Sequence, residues 1–272
     1  MSSRNMQSKT NQSCVNQFLM KFGGVVLFFV HSIFSVLFHL TNYLWYCIHS
    51  LKSLYYRTNT SRHISVSLLK EELKCYPKVP KHLAVIIEEE DISYQDCVKL
   101  ILWCIHSGIP YISFYNHSNG INPTSLYEVL CKRSKSSLQN IKWGKSFHES
   151  VKEMARKDIN GYVWSPVVEV NMFSSKSVHD LMENVMLTLC RQGVKPEEVT
   201  VDTVDDKFRE ELLLPDPCLG LVFGPTLSTF GFMPWQIRVT EFSHLSTHHN
   251  LQLEDFVESL KSFAFCQQRF GK

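Results

Sequence analysis

Residues 22–51 contain no Asp, Glu, Lys or Arg, an uncharged run of 30 residues closed by Lys21 and Lys52. Its first part, Phe22 to Leu40, reads FGGVVLFFVHSIFSVLFHL. About 20 apolar residues at about 1.5 Å each cross a hydrocarbon core of about 30 Å, so this stretch is long enough to span a bilayer. Tyr43, Trp45, Tyr46, Tyr55 and Tyr56 follow it, with amphipathic rings suited to the headgroup region. A cleavable signal peptide would have a shorter apolar core and small residues at its cleavage site, whereas bulky Tyr and Trp follow here. A helix buried in a soluble core is ordinarily shorter than 30 uncharged residues. The run reads as a signal anchor. It divides the chain into a basic tail (1–21), a membrane segment (22–51), a linker (52–77) and a large domain (78–272).

The charges flanking the anchor leave its orientation a tie, with Arg4, Lys9 and Lys21 before it and Lys52, Arg57 and Arg62 after it. The nine cysteines are scattered singly, with no Cys-x-x-Cys pair. That excludes a disulfide framework and a zinc ribbon, and it favours a reducing, cytosolic face for the large domain. Asn11, Asn59 and Asn116 head glycosylation sequons of a kind that arises readily by chance. Composition is globular, at 44% hydrophobic and 20% charged residues, which excludes wholesale disorder. The 28 basic and 26 acidic residues nearly cancel, so no basic stripe argues for nucleic acid.

From Lys78 onward, short apolar runs alternate with helical patterns, which predicts an α/β domain with a mainly parallel sheet flanked by helices. The expected strands are 82–87, 111–115, 163–172, 219–223 and 236–240. The expected helices begin near Ser93, Thr124, Ser146, Ser177 and Asp205, with a last one over 253–265. Ser93 with Asp96 resembles a capping box, and Gly108 is a helix stop. Such sheets carry their chemistry beyond the carboxyl ends of the strands. There the first strand runs into Glu88, Glu89, Glu90 and Asp91. These carboxylates read as a solvated acidic turn before a helix rather than as Mg²⁺ ligands or an acid–base pair. No Gly-rich phosphate loop, nucleophile elbow or metal-spaced His pair occurs. His244, His248 and His249 read as loop residues. Phe232 and Trp235 fit either an anchor for a partner or apolar ligand, or an aromatic cluster covering one sheet end.

Three strings settle the comparison: Pro80–Ile87, Gly108–Tyr115 and Phe223–Glu241, the last reading FGPTLSTFGFMPWQIRVTE. They resemble cis-prenyltransferases, and with the terminal Gln268-Arg-Phe-Gly-Lys272 they are most similar to the Nogo-B receptor branch. The resemblance covers residues 78–272 and agrees with an N-terminal transmembrane helix. Catalytic members carry an Asp-Gly-Asn-x-x-Arg loop that binds an allylic diphosphate and Mg²⁺. Here Glu88 to Asp91 stand where that loop begins, and carboxylates repel a diphosphate. The family's later arginines fall by alignment at Val222 and Ser228, neither of which neutralises phosphate.

The resemblance therefore implies no catalytic residue and no metal ligand in this chain. It implies a transferase heteromer in which a catalytic subunit, dehydrodolichyl diphosphate synthase, holds the Mg²⁺. That complex extends farnesyl diphosphate with isopentenyl diphosphate at the endoplasmic reticulum membrane, for dolichol and protein glycosylation. Arg269 and Gly271 would reach in trans into the partner's diphosphate site, with Phe232 and Trp235 as interface candidates. A membrane-anchored receptor or scaffold without enzymatic role is the alternative that the same family carries.

Overall fold

The computed structural model describes residues 23–41, 43, 44, 47, 66–88, 91–118, 120–145, 147, 149–158 and 165–268. The chain forms two units, Met1–Asn59 and Thr60–Lys272. In the first, helix α1 spans Gly23–Thr41, 19 residues. At about 1.5 Å per residue it is about 28 Å long, close to the hydrocarbon thickness of a bilayer. Its large side chains stand free, with Leu27 71% and Phe28 and Phe34 each 68% accessible. A soluble core helix would bury them; this exposure is compatible with a helix that spans a membrane.

The second unit is built on one sheet of six strands: β1 (His82–Ile87), β2 (Tyr111–Asn116), β3 (Ile141–Trp143), β4 (Val168–Ser174), β5 (Leu219–Phe223) and β6 (Glu241–Leu245). Every pairing is parallel, and the order is β3-β4-β2-β1-β5-β6. Among the described residues seven α-helices accompany it: α2 (Val66–Leu73), α3 (Tyr94–Ser107), α4 (Pro123–Ser134), α5 (Glu149–Asp158), α6 (Ser175–Arg191), α7 (Val201–Leu212) and α8 (Leu253–Phe265). α2 lies within the stretch read as a linker, contacts α3, and contains the fully buried Leu69.

β1 shows why its sequence is uniformly apolar. Leu83, Val85 and Ile87 enter one core with Ile101 of α3, Leu126 of α4, Val151 of α5 and Phe256 of α8. Ala84 and Ile86 enter a second core on the other face, with Tyr115, Val178 of α6, Phe232 and Met233. A strand covered on both faces has no polar side to display. A smaller cluster joins Val185 and Leu189 of α6 to Val204 and Phe208 of α7.

Local signals end the helices where the residues suggested. Gly108 closes α3 in the left-handed region at φ 70°. The Asn122 side chain caps α4, whose first residue is Pro123. Ser174 and Ser177 form a reciprocal capping box, so α6 begins two residues before Ser177.

Some expectations are corrected. Residues 234–239 are turns, and the sixth strand is Glu241–Leu245. The alternation of Ile237 and Val239 imitates a strand, but this segment is tied elsewhere. Arg238 bonds Asp205 and the Thr240 hydroxyl bonds the Pro217 carbonyl. Register depends on Gly220 opposite Phe242, because a Cβ at 220 would lie 2.6 Å from the Phe242 ring. β4 starts at Val168, after Pro166, and not at Val163, which lies outside the described residues. The helix expected over 124–139 ends at Ser134 and passes into a 3₁₀ turn, Lys135–Asn140. Asn116 is 1% exposed and donates its Nδ2–H to the Ile87 carbonyl, so its sequon is closed to a glycan.

Candidate functional site

All six strands point their carboxyl ends the same way, and the end of β1 lies between those of β2 and β5. Glu88 follows β1 directly. Its N–H donates to the Phe223 carbonyl at 2.9 Å, and its Oε2 accepts the Thr226 N–H at 3.4 Å. The carboxylate is thereby folded over the 224–226 loop. Gly224 makes this possible: its φ is 140°, and any Cβ there would collide with the Glu88 side chain. The loop is held from β6 as well, by the Gly224 N–H on the Leu245 carbonyl and by His244 Nε2–H on the Gly224 carbonyl at 2.8 Å. His244 is thus a strand residue.

The end of β2 is closed by the chain's own groups. Tyr115 donates its hydroxyl to the Phe230 carbonyl at 2.6 Å, and its ring lies 5.3 Å from Phe232. Burial raises the Tyr115 phenol above its ordinary pKa, while a hydrogen bond with Ser175 acts in the opposite direction. Val222 is fully buried within β5, and the Ser228 hydroxyl accepts the Phe230 N–H. Strand-end segments 86–91, 115–120, 173–177 and 222–228 together contain one cation, Lys176, and no arginine. Neutralising a diphosphate takes several charge-assisted donors, and this edge supplies a carboxylate where they would stand. Among the described residues no three His, Cys, Asp or Glu side chains converge on a common point. Glu89 and Glu90 lie outside the described residues.

The acidic turn is clamped from behind by residues that sequence reasoning did not connect. His248, read as a loop residue, is 1% exposed, and its Nε2 accepts the Ser93 N–H at 2.8 Å. His249 Nε2–H donates to the Asp91 carbonyl at 3.0 Å. Asp96 is 5% exposed; it takes the Ser93 hydroxyl at 2.5 Å, the Asn250 and Leu251 N–H groups at 3.1 Å each, and Lys99 at 2.7 Å. The expected capping box is therefore altered. Ser93 caps α3 through its hydroxyl, but its own N–H goes to His248 and not to Asp96. An N-cap N–H always needs an acceptor, and that need was the sole signal pointing to a distant partner.

Of the two interface candidates, Phe232 has no accessible surface and sits in the second core. Any contribution to a partner surface runs through the residues that it supports. Trp235 is half-buried; its ring stacks on Phe208 at 5.6 Å and 19°, with the Arg238 guanidinium 5.4 Å away. Asp205 ties this group together, accepting Trp235 Nε1–H at 2.9 Å, Arg238 at 2.7 Å and Arg209 at 2.8 Å. Asp216 has its pKa raised by burial and by the Asp205 charge, against the pull of Arg238 and Arg209. Arg269 and Gly271 lie outside the described residues. The described chain closes at Gln268, whose Nε2–H bonds the Val239 carbonyl at 3.0 Å, after Lys78 has bonded the Cys266 carbonyl at 2.7 Å.

No family model matches the chain. Among solved structures, lavandulyl diphosphate synthase from Lavandula x intermedia superposes with a TM-score of 0.51 at 15% identity, covering 71% of this chain and 99% of that one. The chain thus shares the parallel α/β fold of that synthase. Among curated proteins, the dehydrodolichyl diphosphate synthase complex subunit Nus1 of Mus musculus is 32% identical, over 75% of this chain and 69% of its own. The Homo sapiens subunit is 33% identical, over 72% of this chain and 68% of its own. With identity of this extent over more than two thirds of each chain, the chain belongs to the Nus1 family of dehydrodolichyl diphosphate synthase complex subunits.

Proposed function

We propose that this chain is the accessory subunit of a heteromeric cis-prenyltransferase and does not catalyse alone. The observation that carries the reading is Glu88, which lies folded over the 224–226 loop at the end of the central strand. A diphosphate approaching there meets a carboxylate in place of amide donors and arginine. A catalytic dehydrodolichyl diphosphate synthase subunit supplies the active loop and holds Mg²⁺. Farnesyl diphosphate is extended there with isopentenyl diphosphate toward the lipid carrier of protein glycosylation.

In this reading Arg269 brings a permanently charged, bidentate fork into the partner's diphosphate site, and Gly271 lets a backbone N–H approach the phosphate. Gln268, anchored on Val239, sets where that tail departs. Phe232, within the second core, and the Trp235–Asp205–Arg238 surface are the interface candidates. Helix α1 anchors the complex in the endoplasmic reticulum membrane, with the large domain in the cytosol.

The test is assembly. The full-length chain and a catalytic cis-prenyltransferase are co-expressed and purified through a tag on this chain. A stoichiometric complex surviving gel filtration supports the reading, whereas separate elution of the two chains removes it. Assembly without any gain in turnover would return the chain to the scaffold class.

A further inference from the structure

The segment that joins α2 to β1 grips the far end of the domain. It reads Tyr76-Pro-Lys-Val-Pro80. Each proline fixes its own φ at about −65° and keeps the residue before it extended, so Lys78 stands on a stiff backbone between the two. Tyr76 meets Phe265 edge-on, at a ring distance of 6.2 Å and 69°. Lys78 is half-buried. Its Nζ lies 4.6 Å from the centre of the buried Phe263 ring and donates to the Cys266 carbonyl at 2.7 Å. The cation therefore holds the last turn of α8 and the first residue beyond it, 188 positions away in sequence.

The partners of Lys78 are informative. Among the described residues it forms no ion pair. Its charge goes instead to a main-chain carbonyl just past a helix end, where cations are favoured, and to the face of a ring. At Cys266 the chain leaves the helix in extended geometry, with φ −71° and ψ 134°, while its N–H stays on the Ser262 and Phe263 carbonyls. Two residues on, Gln268 Nε2–H bonds the Val239 carbonyl at 3.0 Å, beside Arg238, which bonds Asp205. Residues 266 and 268 are thus tied to two segments remote in sequence. While Gln268 is held, the next Cα lies within about 3.8 Å of its own. Released from both ties, the four residues that follow Phe265 would let that Cα range over about 14 Å.

We propose that Lys78 is a positioning residue for the tail: by fixing the Cys266 carbonyl it sets, together with Gln268, the direction in which Arg269 leaves the domain. The inference rests on the reading of Arg269 given above. A charged group displaced by about 1 Å from its productive place can cost about a hundredfold in rate, and the surviving Gln268 tie limits the loss on removing Lys78 alone.

The experiment uses the full-length chain in complex with the catalytic subunit, in four forms: unchanged, Lys78→Met, Arg269→Ala and both together. Met keeps the apolar stem against Phe263 and removes the donor. Lys78→Met is expected to lower kcat for isopentenyl diphosphate incorporation about tenfold, with assembly intact on gel filtration. Lys78→Arg, which keeps charge and donor, should recover most of that loss. In the Arg269→Ala complex Lys78→Met should cost nothing further, because its effect passes through that side chain. A merely structural lysine would lower turnover by the same factor in both backgrounds, and that result overturns the proposal. So does normal turnover by the Lys78→Met complex beside an impaired Arg269→Ala one. Normal turnover by Arg269→Ala itself removes the tail reading and this inference with it. If Lys78→Met does not assemble, Gln268→Leu breaks the second tie and carries the same two-background comparison, with the same outcomes for and against.

Discussion

Acid should destabilise the large domain through His82. This residue is fully buried in β1, with Nδ1 at 2.6 Å from the Pro215 carbonyl and Nε2 at 2.8 Å from the Ser113 hydroxyl. A carbonyl only accepts, so the proton of the neutral ring sits on Nδ1 and Nε2 takes the serine hydroxyl. Burial opposes the imidazolium and brings the pKa from 6.5 down to about 4; the Pro215 hydrogen bond and the Glu169 charge act the other way. As pH falls through about 6.5, the unfolded chain takes up a proton at His82, and the folded chain does not until about 4. Within that window the unfolded state binds more protons, so stability is lost with acid. At about 1.4 kcal/mol for each tenfold difference in proton affinity, the loss reaches about 3 kcal/mol by pH 4. For a domain of this size that is roughly 6–12 °C in Tm. Thermal unfolding of the full chain in detergent between pH 7 and 4, beside His82→Gln, measures it. The variant keeps a donor and an acceptor without a titrating charge, so its acid loss should be smaller by that amount. Equal acid losses in the two proteins would refute the argument, as would an imidazole resonance titrating near 6.5 in the folded chain.

Further outcomes follow at particular residues. Phe232→Ala empties a fully buried site in the second core and should cost about 3–5 kcal/mol, whereas Trp235→Phe removes one hydrogen bond to Asp205 and should cost about 1 kcal/mol. Denaturant midpoints separate the two. Leu213 closes α7 at φ 56° with 64% of its surface exposed, so Leu213→Gly should stabilise by about 1 kcal/mol, read as a raised Tm. Within the proposed complex, Arg269→Ala should lower turnover by roughly tenfold to several-hundredfold while gel filtration shows assembly intact, and Arg269→Lys should restore only part. Normal turnover by the Arg269→Ala complex would return the tail to a merely basic terminus.

The parts of this fold that depend on neighbours in sequence were legible. The His82–Ile87 run predicts a strand covered on both faces, and the apolar stripe of residues 253–265 coincides with α8. The turn at 234–239 was hidden because Ile237 and Val239 alternate as a strand would. What overrides them is a tie from Arg238 to Asp205, 33 residues away. The clamp behind the acidic turn was hidden for the same reason. Ser93 and His248, like Asp96 and Leu251, are separated by 155 residues, and no local pattern encodes such a pairing. At the strand ends, the acidic run from Glu88 to Asp91 was legible in the residues themselves. The fold-over of Glu88 onto Thr226 required geometry, because it depends on Gly224 at a φ that other residues avoid.

The most direct measurement is radiolabelled isopentenyl diphosphate incorporation by a purified catalytic cis-prenyltransferase subunit, titrated with the full-length chain. Incorporation into polyprenyl product should rise to a plateau at saturation of the complex, and this chain alone, with farnesyl diphosphate and Mg²⁺ present, should incorporate none. Product made by this chain in the absence of the partner, or incorporation by the partner that stays flat across the titration, would contradict an accessory role.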